Sequence, residues 1–460
     1  MERSRLGPFT LLLSLLVSPG CILSFDGLAG GAGGGTTALD SGTTLVSDNP
    51  VIGQDHADPM VYRDVGADGG VSYVLATTIV GGNGDMPAFT SNDLIHWKAE
   101  ANGLFHRKEM ANSSIGLGGG AFCNVWSPAM MRVGPSKYLL AFTATRFDAA
   151  QMPCPSYADD SGIYVAHAPQ PLGPFPVDGE VMEPVPFGPG DGCPEPQKSA
   201  LPHSVPFAQS GCGDAPCERV MRTHADFFED PKTGALWAAY GWFTSIPPVT
   251  EWEKANHGGH VSLVPLDPLD PSKVRCDDPP VTIHVGNPHD AATLSALAAS
   301  CDGCDATLSM TRDRLGNEMM RDGVSWGLVE RPSLFRRGEW VYLLLSGSSY
   351  DSPYSHVFWV AAKSVEGLSL DSPDRILGRY LVPSDGQSFG GGSAVLGPDG
   401  QTFYYVHNHL DTGPCQATGT CDRDVWVSPI EFEDRADGRG AVWIKARFPA
   451  KDTKIRVTVP

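Results

Sequence analysis

The stretch Asp55-His56-Ala57-Asp58-Pro59-Met60-Val61-Tyr62 carries a polar cluster into an apolar run through a carboxylate and a proline. Related stretches return at His224-Ala225-Asp226-Phe227-Phe228-Glu229-Asp230 and at Val329-Glu330-Arg331-Pro332-Ser333-Leu334-Phe335. In each, an acid stands just before residues with the apolar and aromatic character of a strand. The recurrence predicts a repeated unit whose strand starts share one location.

Reading outward, each stretch opens a longer unit of short strands separated by Gly, Pro, Asp and Asn turns. The first unit places strands at 60–62, 73–78, 87–91 and 94–97. The second places them at 129–133, 138–143 and 162–166, and the third at 226–228, 236–241 and 261–264. The fourth has 333–335, 340–346 and 357–361; the fifth has 394–396, 402–406 and 425–428, with a final strand at 441–444. Helical periodicity is rare beyond about residue 49, and 53 Gly and 39 Pro favour turns over long helices.

Five units of roughly four strands predict an all-β, five-bladed β-propeller over 49–460. A blade is apolar on both faces and must bury both against its neighbours, so the ring has to close. Its innermost strands line a central channel, where Asp58, Asp226 and Glu330 are expected to meet. Residues 183–222 and 266–328 exceed what blade turns need and read as rims held by cysteines, with a short helix over 290–299.

The net charge of −20 makes a poor surface for nucleic acid and for anionic polymers, and leaves neutral polymers open as partners. At the N-terminus, Arg3 and Arg5 precede the apolar Leu11-Leu12-Leu13-Ser14-Leu15-Leu16-Val17, the form of an export signal. Ser18-Pro19-Gly20-Cys21 then resembles a lipoprotein cleavage site. It predicts a signal peptide over 1–21 with Cys21 lipidated, in an outer-membrane or cell-surface protein; ordinary cleavage would give a secreted one. Residues 22–48 are rich in Gly, Ser and Thr and read as a flexible tether. No other apolar run approaches the ~18 residues of a membrane helix, so attachment would be through lipid alone. Of 11 Cys, ten remain after Cys21, an even set that suggests disulfides.

The segments 57–64, 72–78, 86–97, 125–142, 224–241 and 329–347 resemble glycoside hydrolase family 43, the arabinanase, arabinofuranosidase and xylosidase group. The resemblance runs from about residue 52 to 410 and implies a monomeric, inverting glycosidase on neutral plant-type glycans. It implies Asp58 as general base, Glu330 as general acid and Asp226 as the carboxylate that orients Glu330 and raises its pKa. Inversion calls for base and acid ~6.5–9.5 Å apart, leaving room for a water. Trp126 is a candidate sugar platform, and His56 and His224 are candidate ligands for sugar hydroxyls.

One departure stands out. The family carries a His near an axial calcium or water network where this chain has Gly391, in Ser388-Phe389-Gly390-Gly391-Gly392-Ser393. That puts a channel calcium in doubt and leaves His407 or His409 as a substitute metal ligand, with His407 the candidate taken; no cofactor is otherwise required. The rival reading is a non-catalytic glycan-binding or scaffold propeller lipoprotein. A fructan-cleaving five-bladed enzyme would open on an Asn-Asp-Pro-Asn type motif, which this chain lacks.

Overall fold

The computed structural model describes residues 43–53, 56–79, 86–105, 120–148, 161–173, 175, 185–187, 220–244, 259–275, 278, 280–284, 329–347, 356–369, 372–378, 382–383, 389–410, 423–434, 442–445, 447–448 and 454–459. Cys21, the signal segment, 290–299 and the other cysteine side chains lie outside the described residues, and so do the disulfides expected of them.

Five antiparallel sheets follow one another along the chain. Blade 1 runs His56–Val65, Val71–Ile79, Met86–Ser91 and Lys98–Phe105 from inside to outside. Blade 2 is Gly120–Gly134, Lys137–Asp148, Ser161–Ala168 and Val185–Phe187. Blade 3 is Val220–Glu229, Leu236–Thr244, Gly259–Pro265 and Val281–His284. Blade 4 is Val329–Arg337, Trp340–Gly347, His356–Ala362 and Ile376–Leu377. Blade 5 is Phe389–Leu396, Phe403–Leu410 and Arg423–Pro429. Each inner strand lies beside the inner strand of the next blade, and that of blade 5 lies beside that of blade 1. The architecture is the five-bladed propeller that the strand pattern predicts.

Strand periodicity explains how the ring holds. Successive side chains point to opposite faces, so a buried blade needs apolar residues in unbroken runs. In Trp340–Gly347, Val341, Leu343 and Leu345 pack with blade 3 while Tyr342 and Leu344 pack with blade 5. In Lys137–Asp148, Leu140 and Phe142 face blade 1 while Leu139 and Ala141 face blade 3. A separate apolar core fills each junction, including the one between blades 5 and 1, where Val61 and Leu75 meet Val395, Val406 and Val427. The N-terminal segment strengthens that last junction. Thr43–Ser47 pairs antiparallel with Ile455–Val459. The Asn49 side chain donates to Val427 O and accepts from Val427 N–H, at 3.1 and 3.0 Å.

Four expectations shift. Residues 94–97 form a turn, because Asp93 Oδ1 accepts the N–H groups of Ile95 and His96; the outer strand is Lys98–Phe105 instead. Val442–Ile444 pairs with Phe432–Asp434 in a separate hairpin. The stretch 22–48, read as a tether, contains the strand Thr43–Ser47 at its end. The long segments 183–222 and 266–328 also supply the outer strands of blades 2 and 3.

Candidate active site

Every inner strand is broken by a bulge at the same place. The register slips between Ala57 and Met60, Trp126 and Ala129, Thr223 and Asp226, Glu330 and Ser333, and Gly390 and Ser393. The first residue inside each bulge has positive φ: Asp58 at 54°, Ser127 at 56°, His224 at 56°, Arg331 at 53° and Gly391 at 64°. Non-glycine residues adopt this region only where surroundings enforce it, and such positions concentrate at functional sites. The five bulges thus define equivalent columns. Glu330 stands in the first column with Ala57, Trp126, Thr223 and Gly390. Asp58 stands in the second with Ser127, His224, Arg331 and Gly391. Asp226 stands in the fourth with Met60, Ala129, Ser333 and Ser393.

Two sets of hydrogen bonds hold the bulges. In the first, the N–H of a second-column residue is received by a side chain on the preceding blade. Ser127 donates to Thr78 Oγ1 (2.9 Å), His224 to Thr143 Oγ1 (3.1 Å), Gly391 to Ser346 Oγ (2.7 Å) and Asp58 to Asn408 Oδ1 (2.8 Å). At the same place in blade 3 stands Gly241, which has no side chain to offer. In the second set, a fourth-column oxygen accepts an N–H from the next blade. Asp226 Oδ2 takes Leu334 N–H (2.8 Å), Ser333 Oγ takes Ala394 N–H (2.9 Å) and Ser393 Oγ takes Val61 N–H (2.8 Å). Asp226 therefore does at one junction what serines do at two others.

The two remaining carboxyls have opposite electrostatics. Asp58 is 13% exposed. Burial pushes its pKa up, but the Arg331 guanidinium, with His224, Arg423 and a hydrogen bond from Thr78 Oγ1 at 3.1 Å, brings it below the ordinary value. Glu330 is 16% exposed, and burial followed by the Asp58 charge raises its pKa to about 7. The carboxylate acting on Glu330 is thus Asp58. Burial also raises Asp226 to about 7, against its backbone hydrogen bonds.

His224 is the side chain in contact with Glu330: Nδ1 lies 3.5 Å from Oε2. The same Nδ1 lies 3.0 Å from Thr223 Oγ1, which accepts the indole N–H of Trp126 at 3.0 Å. Burial, then Arg331, lowers His224 to about 3, so it is neutral at ordinary pH. Trp126 is half-buried and stands in the same column as Glu330. His56 points Nδ1 to Thr77 Oγ1 (2.9 Å) and sets its ring edge against Phe89. Its carbonyl accepts from Asn408 Nδ2 at 2.7 Å, so Asn408 grips both sides of the Asp58 turn.

A cation on the channel axis does not fit these residues. Arg331 Nη1 donates to Ser127 Oγ at 2.6 Å, and Nε and Nη2 donate to Gly391 O at 3.1 and 2.8 Å. Those oxygens, with Asp58 Oδ1 at 3.7 Å from Nε, are the hard ligands a calcium would need. His407 has no ring nitrogen to give. Its Nδ1–H donates to Asn408 O (2.9 Å) and its Nε2 meets Ser428 Oγ (3.0 Å). Among the described residues, no three His, Cys, Asp or Glu side chains form a metal-sized group.

The sequence reading missed Arg331, Asn408, Thr78 and Ser127 as parts of the site. One signal was available. Asp58-Pro59, Ser127-Pro128 and Arg331-Pro332 share a proline, and aligning on it places Glu330 one column before Asp58. Blade 3 has Ala225 in place of that proline, so only its bulge sets His224, and not Asp226, level with Asp58.

Residues 47–190 match the model of glycosyl hydrolases family 43. That segment covers blades 1 and 2, with Asp58 and Trp126. No curated protein sequence matches the chain. Among solved structures, a thermostable family-43 glycoside hydrolase is similar at 16% identity and a TM-score of 0.55, over 88% of this chain and 97% of that one. An α-L-arabinofuranosidase from Lactobacillus brevis is similar at 13% identity and a TM-score of 0.54, over 88% and 98%. A xylan β-1,4-xylosidase from Bacillus halodurans C-125 is similar at 17% identity and a TM-score of 0.50; the match covers 89% of this chain and 59% of that longer one. The family match thus covers the first two blades, and the solved structures share the fold of all five.

Proposed function

We propose that this protein is a family-43 glycosidase that cleaves O-glycosidic bonds in arabinose- or xylose-containing glycans with inversion, Asp58 acting as base and Glu330 as acid. One observation carries the reading: two carboxyls in one buried site have pKa values driven apart, Asp58 down and Glu330 up to about 7. That division is the one an acid–base pair needs at neutral pH.

In the reaction, Asp58 is ionised and takes a proton from a water as that water attacks the anomeric carbon. Glu330 is protonated and gives its proton to the leaving oxygen. Thr78 and Arg331 hold Asp58 as the carboxylate. Neutral His224 steadies the Glu330 carboxyl, and Asp226 serves the junction between blades 3 and 4. The half-buried Trp126 offers a face on which a sugar ring stacks. The arabinofuranosidase and xylosidase neighbours support the pentose preference. The N-terminal Arg3, Arg5, 11–17 and Cys21 pattern supports export, with a lipid anchor at Cys21.

The test is sugar release from aryl arabinofuranosides, aryl xylosides and debranched arabinan, beside Asp58→Ala and Glu330→Ala. Release by the wild type that both variants lose is the expected result. Glycan binding with no release from any substrate would instead make the protein a lectin-like propeller.

A further inference from the structure

We propose that Arg331 is a positioning residue that replaces an axial metal ion: its guanidinium fills the centre of the channel, ties three other blades to blade 4 and sets the Asp58 carboxyl in place. The clause about Asp58 rests on the function proposed above; the clause about the metal does not.

The geometry is that of a structural cation. Arg331 starts in blade 4, yet it donates to Ser127 in blade 2 and Gly391 in blade 5, and lies 3.7 Å from Asp58 in blade 1. Blades 2 and 4 are not neighbours in a five-membered ring, so the side chain crosses the middle. It is 5% exposed, which leaves bulk water little access to the charge. A planar fork of donors suits such bridging, and a single ammonium does not.

Gly391 and Arg331 explain one another. A Cβ at 391 would stand 3.2 Å from Asn408 Oδ1 and 3.8 Å from both Arg331 Nε and Asp58 Oδ1. A larger side chain there would enter the space the guanidinium uses. The carbonyl of Gly391, turned inward by φ of +64°, takes two of the guanidinium's hydrogen bonds. The glycine at this place is thus the counterpart of the arginine, and the pair supplies the central positive charge covalently. A divalent ion would meet a fixed cation and oxygens already engaged. The charged and titratable groups around Asp58 are Arg331, Arg423, His224 and Glu330, and Arg331 exerts the largest effect among those that lower its pKa.

The experiment has two arms on the full-length chain. Elemental analysis of the purified protein, with melting curves in a chelator and in added calcium, reads the metal. Less than a tenth of an equivalent of any divalent ion and an unchanged Tm are expected. A stoichiometric ion, or a Tm lowered by chelation, overturns the proposal. The second arm follows the Asp58 carboxyl by ¹³C NMR, assigned by difference against Asp58→Asn, in wild type, Arg331→Lys and Arg331→Met. In Arg331→Met the titration moves upward by about one unit or more, and Arg331→Lys moves it less. An unmoved titration in folded Arg331→Met overturns the positioning role. If neither variant folds, the metal arm on the wild type still decides. A wild type that titrates as expected but releases no sugar sinks the hydrolase reading and leaves this one standing.

Discussion

Nδ1 of His224 lies 3.5 Å from Oε2 of Glu330, while the carboxylate of Asp226, two residues on, is engaged by the backbone N–H of Leu334. The two neighbours in sequence therefore belong to different machinery. His224 is level with Asp58 in the bulge and faces Glu330. Asp226 is level with Ser333 and Ser393 and joins two blades.

Substitution at these two positions separates the roles. His224→Ala is expected to lower kcat roughly tenfold to a hundredfold and to move the alkaline limb of the pH profile, because it removes the group beside Glu330. Asp226→Ser keeps an oxygen for Leu334 and is expected to retain the pH profile with kcat nearly unchanged. Asp226→Ala loses the hydrogen bond and costs on the order of 1–3 kcal/mol of stability. Steady-state kinetics across pH, with urea denaturation of all three, check this. A large kcat loss in Asp226→Ser, with the fold intact, would restore Asp226 to the chemistry.

The pH–rate profile follows from the two carboxyls. Asp58, held low by Arg331 after burial is outweighed, sets an acid limb below the ordinary aspartate value. Glu330, raised by burial and then by Asp58, sets an alkaline limb at about 7. Glu330→Gln is expected to lose about 10²–10⁴ in kcat on unactivated glycosides, with the alkaline limb gone. An alkaline limb that persists in that variant would assign the acid elsewhere.

Stability carries the same signature with a fixed sign. A carboxyl whose pKa is raised on folding holds its proton in the folded chain after the unfolded chain has released it. Its contribution is full below the unfolded value and is lost as pH rises through the folded one. For Glu330 the window runs from 4.5 to about 7. Asp58 has the opposite sign, and its contribution is lost only as pH falls through its depressed value. Glu330→Gln therefore raises stability at pH 8 by ~3 kcal/mol at most, and much less at pH 5. Chemical denaturation at the two pH values measures the difference; equal effects at both would contradict the burial of an acidic Glu330.

A prediction away from the site concerns the junction of blades 3 and 4. Arg336 grips Asp230 with two hydrogen bonds of 2.6 and 2.8 Å, and both side chains are 4% exposed. Removing one partner leaves a buried charge alone, so Arg336→Ala should cost about 3–5 kcal/mol. The double variant Arg336→Met/Asp230→Leu should cost less than Arg336→Ala. Both are read by urea denaturation, and a double variant less stable than the single one would contradict the reasoning.

The fold was legible because propeller strands write their burial into the sequence. Runs such as Trp340-Val341-Tyr342-Leu343-Leu344-Leu345 are apolar at every position, and each face meets a different core. Outer strands such as Lys98–Phe105 were not legible, since Lys98, Glu100 and Asn102 carry no apolar pattern. The placement of Asp58 and Glu330 at the starts of inner strands was readable from the acids that precede apolar runs. That His224, and not Asp226, lies against Glu330 was not, because it depends on which residue a bulge turns inward. Arg331 was hidden for a related reason: beside Glu330 in sequence it resembles a surface pair, and only positive φ directs it across the channel.

The configuration of the first sugar released tests the central claim most directly. Proton NMR during the early turnover of an aryl α-L-arabinofuranoside and an aryl β-xyloside resolves the anomeric signal before mutarotation. With Asp58 as base and Glu330 as acid, the first product appears with the anomeric configuration opposite to the substrate's. A first product of retained configuration would require a covalent intermediate and would contradict the mechanism.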